Sequence, residues 1–297
     1  MKTRKSIPSY IVFGIAVCAS VCTADASEKI RLLVRGDDIG STHAANIACI
    51  RTYKEGIVRS VELMVPCAWF PEAVKLLNEN PGLDVGVHLT LTSEWEKMKW
   101  RPLTRAPSLV DADGYFFPMV WPNTNFPPGT SLKEANWNLK EIETELRAQI
   151  GSARRHVPHI SHLSAHMAFT VLDRSIADLV RRLAEEYGLE TEGLAAGAKP
   201  FPHWGRTRST EERIAKFVAA IEQLQPGTYV FVEHPGLDVP EMQAIGHKGY
   251  EDVAADRAAV TQVFVSSQVK NALERKGVEL VGYKDLKQAR SNASTTR

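Results

Sequence analysis

Cysteine is scarce: the chain has four in 297 residues, and Cys18 and Cys22 fall within the first 26. Cys49 and Cys67 remain, without C-x-x-C spacing, so a disulfide-stapled mini-protein and a cysteine-ligated metal site are both excluded. Each sits in an apolar stretch, where a free, buried thiol acting as a small hydrophobe is the expected role. Net charge is nearly absent at +1, which excludes the broad basic face of a nucleic-acid binder. No internal repeat is visible. What is present, 44% hydrophobic and 24% charged residues, is ordinary globular composition, which excludes disorder and collagen-like structure. The length admits one large domain or two modest ones.

The N-terminus reads differently from the rest. Lys2, Arg4 and Lys5 precede the uncharged run Tyr10 to Val21, and Ala24-Asp25-Ala26 offers a small-x-small site before Ser27. This is the layout of a secretory signal peptide over residues 1–26. The apolar run is shorter than the roughly 20 residues a membrane-spanning helix needs. The expectation is a periplasmic or secreted protein with no membrane attachment after cleavage. Removing the segment takes three basic residues and one acid, so the formal charge becomes −1.

From Ile30 onward, apolar runs of strand length alternate with helical patterns. Strands are expected over Ile30–Val34, Ser60–Val65, Leu83–Leu91, His159–Ser164, Tyr229–Val232 and Val278–Val281. Helices are expected over Ala44–Tyr53, Pro71–Asn78, Leu132–Arg154, Asp173–Tyr187, Thr210–Leu224 and Asp256–Arg275. Such alternation implies an α/β fold with a parallel sheet, and its length suits a (β/α) barrel over residues 27–289. Residues 290–297, rich in Ser, Asn and Thr, read as a disordered tail. Two stretches, Ser93–Ser131 and Gly193–Arg208, break the rhythm. The first carries Trp95, Trp100, Tyr115, Phe116, Phe117 and Trp121, with Trp137 just beyond it; these rings either stack on a sugar or fold the loop onto the barrel.

Polar residues stand where core strands should be apolar. In the third strand Val85, Val87, Leu89 and Leu91 share one face, and Asp84, Gly86, His88, Thr90 and Thr92 the other. His162, Ser164 and His166 share one parity in the next strand. The run Tyr229 to Gly236 places Glu233 and His234 at its C-terminal end, and the first strand ends in Arg35-Gly36-Asp37-Asp38-Ile39-Gly40. Four strands thus bring titratable groups to the end where parallel α/β folds place their chemistry. One carboxylate of the Asp37-Asp38 pair with the imidazoles of His88 and His166 suits a divalent metal, whether Zn²⁺, Mg²⁺, Mn²⁺ or Co²⁺. The other carboxylate stays free to take a proton. A structural alternative has the Asp pair capping the helix that begins near Ser41.

These motifs resemble the YdjC-like (ChbG/HpnK) carbohydrate deacetylases. Arg35-Gly36-Asp37-Asp38-Ile39-Gly40 is similar to that family's Ala-Asp-Asp-Phe-Gly signature, and Gly56 to Val65 to its second strand. Val85 to Thr92 is similar to its Gly-x-His-Leu-Thr-Leu-Thr segment, His162-Leu163-Ser164-Ala165-His166 to its His-Leu-Asp-x-His motif, and Glu233-His234-Pro235-Gly236 to its Cys-His-Pro-Gly stretch. The likeness extends to the Arg257 helix and to Leu280–Leu286, nearly all of the chain after the signal segment. It implies a distorted (β/α) barrel of the polysaccharide-deacetylase type that removes N-acetyl groups from amino sugars or oligosaccharides. It further implies Asp38, His88 and His166 as metal ligands, Asp37 as general base and His234 as general acid. Trp95, Glu233 and Arg257 are the candidate substrate contacts, with Lys199 and Arg206 as further cations. Ser164 departs from the family's Asp, which changes the surroundings of the metal site, and Glu233 departs from its Cys. The competing functions are another metallohydrolase, such as a phosphoesterase with more cations near the ligands, and a catalytically silent glycan-binding protein.

Overall fold

The computed structural model describes residues 29–192 and 197–295. The signal-peptide layout of residues 1–26 lies outside the described residues, as does the end of the expected tail at 296–297.

Eight parallel strands are present among the described residues: β1 (Ile30–Ile39), β2 (Ser60–Leu63), β3 (Asp84–Leu89), β4 (Ile160–Ala165), β5 (Glu190–Thr191), β6 (Lys199–Pro200), β7 (Gly227–Glu233) and β8 (Glu279–Leu280). They run in the order β5-β4-β3-β2-β1-β7-β6, with β8 also pairing β1. The sheet is strongly rolled. Arg35 of β1 reaches Glu192, just past β5, at 3.1 Å. In a flat sheet those strands would lie roughly 19 Å apart at ~4.8 Å per strand. This is the expected distorted (β/α) barrel, with side chains of one strand face meeting across its interior.

Helices α1 (His43–Lys54), α2 (Phe70–Asn78), α3 (Leu139–His156), α4 (Arg174–Tyr187), α5 (Thr210–Glu222), α6 (Pro240–Ala244), α7 (Val253–Val265), α8 (Ser267–Lys276) and α9 (Tyr283–Thr295) accompany the sheet. Helix α4 shows why they form. Asp173 caps its start through the Ser175 N–H, Gly188 ends it at φ 67°, and Ile176, Leu179, Val180, Leu183 and Ala184 make the buried stripe. Helix α3 has the same stripe, yet two of its members, Glu145 and Gln149, are polar and fully buried. Glu145 accepts from the N–H groups of Leu103 and Thr104, and Gln149 bonds both ways with the Thr90 backbone. These two side chains tie the irregular segment after β3 to the barrel.

Several expectations are corrected. The helix expected over Asp256–Arg275 is two helices, broken where Ser266 adopts ψ 129°. The helix expected from Leu132 begins at Leu139, where Asn138 supplies the N-terminal cap; Leu132 is instead held by the backbone of Met119. Cys49 and Cys67 are free and buried, as their apolar surroundings imply.

Candidate active site at the strand ends

The rim begins with an irregularity. Between Gly36 and Ile39 the register of β1 against β2 slips, giving β1 one extra residue, and Asp38 sits at φ 72°. Among residues with a side chain, Asp is one of the few that tolerates this left-handed backbone. Strict alternation would send Asp37 and Asp38 to opposite faces; the bulge turns both into one cavity of about 480 Å³. The same cavity receives His88 from the end of β3, His166 from the end of β4, and His234 just after β7. The alternative in which the Asp pair caps the following helix fails, because Thr42 is the cap, accepting from the Ala45 N–H.

Three buried donors converge. Asp38 Oδ1 lies 3.6 Å from His88 Nε2 and 3.5 Å from His166 Nδ1, and the two imidazole nitrogens are 3.3 Å apart. Arg257 donates to the other oxygen, Oδ2, at 2.8 Å, and Oδ1 is buried without a hydrogen-bond partner. A buried, unpartnered carboxylate oxygen is an expensive feature unless something else satisfies it. With one carboxylate and two imidazoles within 4.8 Å of one another, the donor set fits a divalent cation.

Each donor is held from behind. Glu94 Oε2 lies 3.1 Å from His166 Nε2, so that nitrogen carries the proton and Nδ1 faces inward. Ser164 Oγ is 2.8 Å from His88 Nδ1. Ser164, a departure from the family pattern, thus abuts the His88 imidazole, not His166. Burial works against an imidazolium on both rings. On His166 it is overcome by the charges of Glu94 and Asp38, whereas on His88 burial and the His166 charge together push the pKa down.

Asp37 is gripped by Arg35, whose Nε and Nη2 donate to its two oxygens at 2.7 and 2.9 Å. Burial, with the nearby Glu62 charge, still outweighs that arginine and raises the Asp37 pKa to about 6. His234 is about two-fifths exposed at the mouth. Burial would lower its pKa, but the Asp38 charge and the Glu233 carboxylate, which can accept from the imidazolium, raise it.

The substrate candidates part company. Trp95 lines the cavity, stacked on His247 at 5.8 Å between ring centres, with the Arg257 guanidinium 5.2 Å from its own. Arg257 is buried and committed to Asp38, so it acts on the carboxylate more directly than on a substrate. Glu233 stands behind His234 and binds His203 Nε2 at 2.6 Å. Lys199 and Arg206 are not among the lining residues. Of the loop aromatics, Trp100 and Phe116 are core residues and Trp121 is exposed.

The comparisons with known proteins agree with this arrangement. The YdjC-like protein family matches residues 31–275. The chain belongs to the YdjC-like family. A carbohydrate deacetylase of Thermus thermophilus is 34% identical over 239 residues, spanning 72% of this chain and 80% of that one. A carbohydrate deacetylase of Listeria welshimeri is 28% identical over 268 residues, spanning 86% of this chain and 100% of its own length. The crystal structure of an Enterococcus faecalis protein described for cellobiose-phosphate cleavage superposes with a TM-score of 0.68 at 23% identity, over 87% of this chain and 99% of that one, and shares the fold.

Among the residues at or behind the site that the sequence did not mark as functional are Arg35, Glu62, Glu94, Glu192, His247 and Tyr250. Glu94 shares the parity of His88, Thr90 and Thr92, and Glu62 shares that of Ser60 against apolar Val61 and Leu63, so the alternation that singled out His88 also marks both.

Proposed function

We propose that this YdjC-like protein is a metal-dependent carbohydrate deacetylase that hydrolyses the N-acetyl amide of an amino sugar or oligosaccharide. The observation that carries the reading is the orphaned Asp38 Oδ1 facing His88 Nε2 and His166 Nδ1, in one cavity with Asp37 and His234. Two relatives that carry the name carbohydrate deacetylase support the reaction class.

A divalent ion held by Asp38, His88 and His166 supplies Lewis acidity toward a carbonyl oxygen and toward water. The chain's own groups do the rest. Asp37, oriented by Arg35 and with its pKa raised to about 6, takes a proton from the water that attacks the acetyl carbon. His234, kept protonated by Asp38 and Glu233, gives a proton to the sugar nitrogen as the C–N bond breaks, leaving acetate and a free amine. Trp95 is buried, with His247 and the Arg257 guanidinium against its ring, so it shapes the cavity wall and offers no open face for stacking a sugar. Among the described residues lining the cavity, the only Arg or Lys side chains, Arg35 and Arg257, are already paired with carboxylates, which favours an uncharged amide over a phosphoester.

Asp37→Asn tests the assignment. Turnover of an N-acetylated sugar falls by at least 100-fold while zinc binding is retained. Wild-type turnover in that variant contradicts the assignment.

A further inference from the structure

Glu62 is wholly buried in the middle of β2 and does not line the cavity, yet it is a charged group in the barrel interior. Its Oε1 lies 2.7 Å from His162 Nε2 and 3.8 Å from Arg35 Nε, and its Oε2 accepts the hydroxyl proton of Ser164. His162 and Arg35 push its pKa down to about 2 against burial, so Glu62 is an ionised acceptor with no proton to give. A serine hydroxyl has one proton. Having donated it to Glu62, Ser164 Oγ faces His88 Nδ1 at 2.8 Å as an acceptor. His88 therefore carries its proton on Nδ1 and keeps the lone pair on Nε2, the atom 3.6 Å from Asp38 Oδ1. Gly86 leaves the passage open, because a Cβ there would collide with the Glu62 carboxylate and the His162 ring.

We propose that Glu62, acting through Ser164, is a positioning residue that fixes the tautomer and orientation of His88 for metal ligation. His166 receives the same service directly from Glu94 at 3.1 Å. Both imidazoles are thus backed by a carboxylate, one in contact and one across a serine. The inference rests on the reading that Asp38, His88 and His166 hold a divalent ion.

The test measures Zn²⁺ affinity of the full chain by competition with a chromophoric chelator, which reads the site without reference to turnover. The variants are Ser164→Ala, Ser164→Thr, Glu62→Gln, the Glu62→Gln/Ser164→Ala pair, and Asp38→Ala as control. Ser164→Ala and Glu62→Gln each weaken binding about 10–100-fold, as loss of a hydrogen bond behind a ligand does. Ser164→Thr, which keeps the hydroxyl, binds like wild type. The pair binds no more weakly than the weaker single variant, because both act along one path. Wild-type affinity in Ser164→Ala, or losses that add in the pair, overturns the relay. Wild type that binds no zinc, or Asp38→Ala that binds as wild type does, overturns the metal reading and this inference with it.

Discussion

Arg257 donates to Asp38 Oδ2 at 2.8 Å and leaves Oδ1 facing the two imidazoles. The pairing neutralises a buried carboxylate and points its free oxygen at the place where a cation would sit. Removing the arginine leaves Asp38 charged and buried with only His234 and His166 to offset it. Arg257→Ala accordingly loses about 3–5 kcal/mol of stability in chelator-treated protein, measured by urea unfolding. Added Zn²⁺ recovers part of that loss by supplying positive charge to the same carboxylate. Unchanged unfolding in the metal-free variant contradicts this role.

The acid limb of the chemistry has its own signature. As the proposed general acid, His234 works in its protonated form, so the rate is expected to fall as pH rises through the pKa of His234, which lies above the usual 6.5. Asp38, Asp37 and Glu233 favour the imidazolium, while burial and Arg257 oppose it. Glu233→Gln removes one of the favouring charges, so the basic limb of the kcat profile moves to lower pH. A pH profile that stays in place shows that Glu233 serves His203 alone.

Gly86→Ala places a methyl group against Glu62 and His162. Both side chains are fully buried and cannot swing into solvent. The substitution costs about 1–3 kcal/mol by denaturant unfolding, the range for overpacking a tight interior. Zinc affinity falls with it, because Glu62 is displaced from Ser164. A neutral Gly86→Ala contradicts the packing described for the barrel interior.

Much of this site is legible in the chain. Alternation along β3 and β4 singles out His88, His162, Ser164 and His166, because a parallel strand buried on both faces should carry no such polar parity. The same rule marks Glu62 in β2, where a single charged residue among Val61, Leu63 and Met64 is easily taken for an exposed edge. Glu94 keeps the His88 parity but lies beyond the last residue of the strand, where periodicity carries no structural guarantee. The shared orientation of Asp37 and Asp38 depends on a bulge, and nothing in the residue types announces a register slip. Arg257 looks like a free cation in sequence because its partner is 219 residues away. The break at Ser266 is hidden for a related reason: the apolar pattern runs on across it while the backbone turns.

The most direct measurement is acetate release from N-acetylated sugars by chelator-stripped protein, before and after a divalent ion is added back, with Asp38→Ala alongside. The account predicts acetate from at least one sugar only when the ion is present, and none from Asp38→Ala under either condition. Acetate released at the same rate without the ion, or by Asp38→Ala as fast as by wild type, would contradict it.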